Sequence, residues 1–296
     1  MTLHALIVAA TVVATWNGNW FPSGRAEHRA HPDVEAATIE AAAKMLAKGL
    51  AEVDPAGTND VILCLHEMRG PRVVSNLVEK IGRKGLKMAS ISGYRRRDRF
   101  DQQQDAIATT LPVASASWSK WRTAGKETPP RGYAFAAIVV EPAVTAHVYA
   151  VHLKSNYHDN TDEKRALSRA KRTHSIAQLL EQEKPAKKGR AAHPVIIAGD
   201  MNADRWDAKF AQEGIFTALD AAGFVDLLGT LPPGRRGTHT SKFYGDSALD
   251  YVFVRGACGR DARIIPNDGL SDHFALFTVL DGWSAAGRGN VGERAK

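Results

Sequence analysis

Six short apolar runs in this chain carry an Asn, Asp, Glu or His at one margin. TVVATWNGN ends near Asn17, VILCLHEM near Glu67, VYAVHLKSN near His152, and VIIAGDMNAD near Asp200 and Asn202. GLSDHFALF opens on Asp272 and His273, and SALDYVFV is led by Asp250. A carboxylate or imidazole beside a buried strand is costly unless it is paired or bound to a metal. One such residue is most often a satisfied core group. Six of them call for a shared explanation, and strand ends converging on one rim of an α/β protein supply it.

The residue types fit one chemistry. Glu67, Asp272 and Asn17 are hard oxygen ligands of the kind Mg2+ prefers, and Mn2+ or Ca2+ would accept the same set. No Cys/His cluster with zinc spacing is present. His152 and His273 can move protons near neutral pH. Asp200 can orient or deprotonate a water, and Asn202 can donate a hydrogen bond to a phosphoryl oxygen. Together these are the parts needed to attack a phosphodiester with water and to stabilise the charge that develops.

The elements that must position these groups alternate between strand and helix patterns, which predicts an α/β protein. Strands are expected over Ala5–Thr15, Val61–Leu65, Leu86–Ile91, Tyr133–Val140, Val144–Leu153, Pro194–Ala198, Leu249–Arg255 and Phe274–Leu280. Helices are expected over Asp33–Leu50, briefly after Pro71, and over Asp162–Glu181. The cations Lys164, Arg165, Arg169, Lys171 and Arg172 on that last helix read as a solvated face. Lys184–His193 reads as a polar connector, and Gly223–Arg236 as loop. One domain over residues 1–282 is expected, with 283–296 as a flexible tail.

The chain has 296 residues, enough to bury a large core without a disulfide. Cys64 sits in an apolar run and Cys258 in a Gly-rich turn, so no bridge is expected. The run Ala5–Ala14 is too short to span a bilayer, and no Lys or Arg precedes it. It reads as a buried strand, because cleavage near Ala14 would remove the strand that carries Asn17. That favours a cytoplasmic over a secreted location. The net charge of +7 and a pI near 9.4 favour an anionic partner.

With these residues in hand, the sequence resembles the endonuclease/exonuclease/phosphatase superfamily, in its deoxyribonuclease-like branch. Thr15-Trp16-Asn17 is similar to the first-strand motif. Leu65-His66-Glu67 is similar to the metal-binding motif, which more often has Gln where His66 stands. Val151-His152-Leu153-Lys154-Ser155-Asn156, Gly199-Asp200-Met201-Asn202, Leu249-Asp250-Tyr251 and Ser271-Asp272-His273 follow in the family's order. The likeness runs from about Val12 to Leu280.

The resemblance implies a four-layer α/β/β/α sandwich of two mostly antiparallel sheets with helices outside. It implies Glu67 as principal metal ligand, with Asn17 and Asp272 completing or supporting the site. Asp200 would position the attacking water, and Asn202 would hold a phosphate oxygen. His273, oriented by Asp250, would be general base or phosphate clamp. His152 would protonate the leaving oxygen or bind phosphate. Lys154 and Asn156 are expected at the substrate; Asp105 is a candidate to orient His152, with an ordinary surface charge as the alternative reading.

The favoured activity is a metal-dependent nuclease acting on DNA or RNA. Arg95-Arg96-Arg97-Asp98-Arg99 between Tyr94 and Phe100, the Trp118/Lys120/Trp121/Arg122 cluster, and Arg235-Arg236 could track a sugar-phosphate backbone or stack bases. The alternative is a phosphatase or phospholipase C-type hydrolase of inositol phosphates or sphingomyelin. No aromatic membrane-binding insertion is evident. A non-catalytic binding module is disfavoured because every expected site position is filled. Nucleic acid is the expected partner. No transmembrane segment or protein partner is expected, and the chain reads as a monomer.

Overall fold

The computed structural model describes residues 10–23, 31–96, 99–100, 103–123, 125, 127–157, 159–184, 192–242 and 245–283. The start of the expected first strand, Arg97 and Asp98, most of the 184–193 connector and the tail from 284 lie outside the described residues.

Twelve of the described strands form two sheets of six. In chain order they are β1 (Thr11–Phe21), β2 (Asp60–Met68), β3 (Lys87–Ile91), β4 (Gln104–Thr109), β5 (Val113–Lys120) and β6 (Gly132–Glu141). They continue with β7 (Val144–His152), β8 (Val195–Asp200), β9 (Val225–Asp226), β10 (Asp250–Arg255), β11 (Ala257–Ile265) and β12 (Ala275–Trp283). The sheet orders are β11-β12-β1-β2-β4-β3 and β9-β10-β8-β7-β6-β5. The helices are α1 (Pro32–Val53), α2 (Pro71–Ile81), α3 (Asp162–Gln182) and α4 (Gly214–Ala221).

Each sheet holds one parallel pair at its centre, β1 with β2 and β7 with β8; all other neighbours are antiparallel. A parallel pair needs a crossover. Helix α1 makes the first and α3 the second. Pro32 opens α1 with Asp33 and Glu35 in its first turn, where acidic groups complement the helix dipole. Thr161 caps α3 by accepting from the Lys164 amide.

Side-chain alternation divides the core. Val13, Ile62, Cys64 and Ile107 face the other sheet, against Ala136, Val148 and Ala150. Val12, Ala14, Leu63 and Leu65 face α1 and α2 through Leu46, Leu50, Leu77 and Ile81. Ile176 and Leu179 of α3 cover the second sheet. The result is the expected four layers.

Several details differ from the sequence reading, among them β4, β9, β11 and α4, where it expects no such element. Strand β1 continues past Thr15 to Phe21, staying paired with β2 at Asn17↔His66 and again at Phe21↔Met68 around an irregularity. Asn19 and Trp20 take positive φ there, 49° and 59°. The segment Val113–Lys120 is a strand, β5, to which the sequence reading assigns no element, although Ala114, Ala116 and Trp118 alternate with Ser115, Ser117 and Ser119. Its residues are small and it lies exposed at a sheet edge, so no run of large apolar side chains marks it. The basic-aromatic cluster there is split: Trp118 is exposed against Tyr94, whereas Trp121 is buried on Tyr133. Cys64 is buried and Cys258 exposed, both as free thiols. No helix among the described residues is long and apolar enough to cross a membrane.

Candidate active site

Strands β1, β2, β7 and β8 end at one rim, because both parallel pairs point the same way into it. In register, Asp200 lies opposite His152 on one side and Asp250 on the other, and Asn17 lies opposite His66. Gly199 precedes Asp200 with φ 144°, and a Cβ there would come within 1.9 Å of the Val151 carbonyl. Only glycine lets β8 approach β7 so closely. Glu67 and Asn202 are themselves left-handed, at φ 58° and 52°. Non-glycine residues held there cluster at functional sites.

The side chains form one connected network. Asn17 Nδ2 donates to Asp200 Oδ2 (3.0 Å) and to Glu67 Oε1 (3.3 Å). The Trp20 amide donates to Glu67 Oε2 (3.0 Å), and the Asn202 amide to Asp200 Oδ1 (2.8 Å). His152 Nε2 lies 3.7 Å from Glu67 Oε1 and 3.5 Å from Asp200 Oδ2. His273 Nδ1 donates to Asp250 Oδ2 (2.8 Å), which leaves its Nε2 3.8 Å from Asp200 Oδ2. Ser271 ties the 271–273 turn to β1 by donating from its hydroxyl to the Asn17 carbonyl (2.8 Å).

Electrostatics separates the two histidines. Burial pulls the His152 imidazole well below its ordinary range, and the nearby Arg131, His66 and His273 add to this. It is a neutral ring. For His273 burial also acts downward, but Asp250 and Asp200 outweigh it and raise the imidazolium to about 10. Burial raises the Asp200 carboxyl to about 6, against the opposing pull of His273, with Asp250 and Glu67 adding like-charge repulsion.

Asn17, Glu67, His152, Asp200, Asn202, Asp250 and His273 are therefore together. Asp272 adjoins them in sequence, but its half-exposed carboxylate faces His239, 3.7 Å from Nε2. Lys154 is half-buried, its amine lowered chiefly by burial, and it donates to the Ser155 carbonyl. Asn156 Oδ1 accepts from Arg172 (2.8 Å).

Asp105 does not orient His152. It accepts from His66 Nδ1 (2.9 Å) and from the Tyr94 hydroxyl (3.1 Å), all three groups being buried. His66 Nε2 in turn lies 3.0 Å from Thr15 Oγ1. His66, the departure from the family pattern, therefore has a structural partner set of its own beside the site.

Three participants escape a motif reading. Arg131, held at φ 64°, donates to the His152 carbonyl (3.1 Å) and the Leu153 carbonyl (2.6 Å). Arg172, expected on a solvated face, is instead fully buried; it pairs with Glu213 and donates to the Lys154 carbonyl (2.7 Å). Two arginines thus hold three consecutive carbonyls of the turn after His152. The third participant is His239. Arg236 is drawn away from any exposed role: it donates to the Leu231 and Gly229 carbonyls and sits 4.3 Å over the Trp206 ring.

The sequence profile described as Endonuclease/Exonuclease/phosphatase family matches residues 14–273, a span that contains every group of this network. The chain belongs to that family. Its members are phosphoric ester hydrolases. No curated protein matches the chain in sequence. Among solved structures, an endonuclease/exonuclease/phosphatase family protein from Leptotrichia buccalis aligns with TM-score 0.62 at 13% identity, covering 92% of this chain and 99% of that one. A D. rerio TDP2 complexed with single strand DNA product aligns with TM-score 0.60 at 15% identity, covering 92% and 98%. The human Nocturnin catalytic domain with bound sulfate anion aligns with TM-score 0.59 at 14% identity, covering 92% and 94%. These likenesses show the fold.

The family typically uses divalent metals, and the donor set here fits one. Glu67, Asp200 and Asp250 are buried carboxylates crowded at one rim, and Asp250 Oδ1 is buried without a hydrogen-bond partner among the described residues. Two groups have ligand atoms within 4.8 Å of one another: Asp200, Asp250 and His273, and His239, Asp272 and His273.

Proposed function

We propose that this protein is a divalent-metal-dependent phosphodiesterase that cleaves nucleic acid, most simply as a DNA endonuclease. The observation that carries the reading is the geometry at the rim: Asp200 Oδ2 lies 3.5 Å from His152 Nε2 and 3.8 Å from His273 Nε2, with Asn17 bridging it to Glu67 and Asp250 holding His273.

A bound Mg2+ or Mn2+, held by Glu67 and Asn17, would supply Lewis-acid charge at a phosphoryl oxygen. The chain's own groups do the rest. Asp200, fixed by the Asn202 amide and Asn17, accepts the proton of the attacking water. His273, held by Asp250, gives a proton to the leaving oxygen. A neutral imidazole is a poor acid, so His152 binds a phosphate oxygen instead, as does Asn202. Lys154 and Asn156, on the turn after His152, would contact the flanking backbone.

Nucleic acid as substrate is supported by the net charge of +7 and by the single strand DNA product bound to a TDP2 of the same fold. Supercoiled plasmid should be nicked in Mg2+ or Mn2+ and left intact in EDTA. Intact plasmid beside rapid hydrolysis of sphingomyelin or an inositol phosphate would replace the nuclease reading with the lipid or phosphatase one.

A further inference from the structure

His239 is an imidazole that the ordered motifs do not include, yet the backbone locks it into the site. It pairs with His273 in an isolated antiparallel bridge. The Thr240 amide donates to the Asp272 carbonyl (2.9 Å) and the Phe274 amide to the Thr238 carbonyl (2.6 Å). Residues 238–240 are thereby zipped to 272–274, and the two imidazole rings meet edge to face at 4.7 Å.

Among the described residues, His239 Nδ1 is buried without a partner, and Nε2 faces Asp272 Oδ2 at 3.7 Å, longer than a normal hydrogen bond. Two ligands of one ion, each about 2.0–2.2 Å from it, sit about 3–3.6 Å apart. The His239–Asp272 pair is therefore close to the spacing that a shared ion requires. His273 is otherwise engaged, with Nδ1 on Asp250 and Nε2 towards Asp200. The nitrogen for such an ion comes from His239. Asp272 is 44% exposed, which leaves room for water or a substrate oxygen around the ion.

We propose that His239 Nε2 and the Asp272 carboxylate form a mixed nitrogen–oxygen half-site for a divalent transition ion, apart from the oxygen pair Asn17–Glu67. The inference rests on the metal-dependent reading above. An imidazole beside a carboxylate suits first-row transition ions, of which Mn2+ is the weakest binder and the paramagnetic probe, whereas Mg2+ favours oxygen ligands alone. The site should therefore discriminate between the two ions.

The test uses the full chain, stripped with EDTA and then loaded with Mn2+ alone. Pulsed electron paramagnetic resonance should show a 14N coupling to the bound Mn2+. His239→Phe should abolish it and weaken Mn2+ binding by titration calorimetry on the order of tenfold, with Mg2+ binding changed far less. His239→Asp, which restores a ligand without nitrogen, should recover affinity while shifting preference towards Mg2+. Circular dichroism and melting temperature establish that each variant folds. A 14N coupling that survives in His239→Phe, or an equal loss of Mn2+ and Mg2+ affinity, overturns the proposal. Wild-type plasmid cleavage in Mg2+ reports on the nuclease reading separately, so the two can fail independently.

Discussion

Asp250 is wholly buried, and one of its oxygens holds His273 Nδ1 at 2.8 Å. That contact keeps His273 charged, since Asp250 is the strongest influence opposing burial. Asp250→Asn should bring the His273 titration, followed by NMR in EDTA, down from about 10 towards neutrality. Turnover should fall about 100- to 10,000-fold, because the acid loses both its proton and its orientation. An unchanged His273 titration would remove Asp250 from that role. At this scale the sequence is most legible where a polar residue ends an apolar run. From Asn17 to Asn202 the motif residues close such runs, and Asp250, Asp272 and His273 open them. Asp105 was identifiable as unusual but not by partner. It precedes Ala106, which pairs with Leu65 in the antiparallel β2–β4 ladder, and this brings it beside His66 rather than His152. A single sequence contains the residue but not that register.

The turn from His152 to Asn156 depends on elements far from it in sequence. Arg131 approaches from the start of β6 and Arg172 from within α3, and their guanidinium groups take the carbonyls of residues 152 to 154. Helix periodicity placed Arg172 among solvated cations, because its partner Glu213 lies in the segment before α4 and nothing local announces it. The pair permits a separation of stability from positioning. Arg172→Met leaves a buried carboxylate unpaired and should cost about 3–5 kcal/mol in urea unfolding. Adding Glu213→Leu should return most of that stability, since two apolar side chains can replace a buried ion pair. Turnover should stay about 10- to 100-fold low in the double variant, because the Lys154 carbonyl and Asn156 lose their donor. Full turnover in a stable double variant would show that the arginine serves folding alone.

The whole molecule explains why groups spread from residue 17 to residue 273 meet. Two β-α-β units, one in each sheet, each send the C-terminal ends of a parallel pair to the same rim, and the last strands return His273 and Asp250 to it. The arrangement concentrates buried carboxylates, and that carries a cost. The Asp200 carboxyl, at about 6 in the folded chain, lies above its unfolded value of about 3.9. The folded, ion-free protein therefore holds a proton that the unfolded chain has released. The stabilisation is fully present below about pH 4 and is lost as pH rises through 6. A divalent ion held by Glu67 and Asn17 beside Asp200 favours the charged carboxylate and drives that proton off, so it binds less well at pH 5 than at pH 7.5. At a hundredfold excess over its dissociation constant, an ion adds about 2.7 kcal/mol to stability. In a chain of this size that raises the melting temperature by roughly 4 °C. Calorimetry with and without EDTA should find this rise at pH 7.5 and a clearly smaller one at pH 5. A rise of equal size at both values would mean that the ion binds without displacing the Asp200 proton, and Asp200 would then not neighbour the ion.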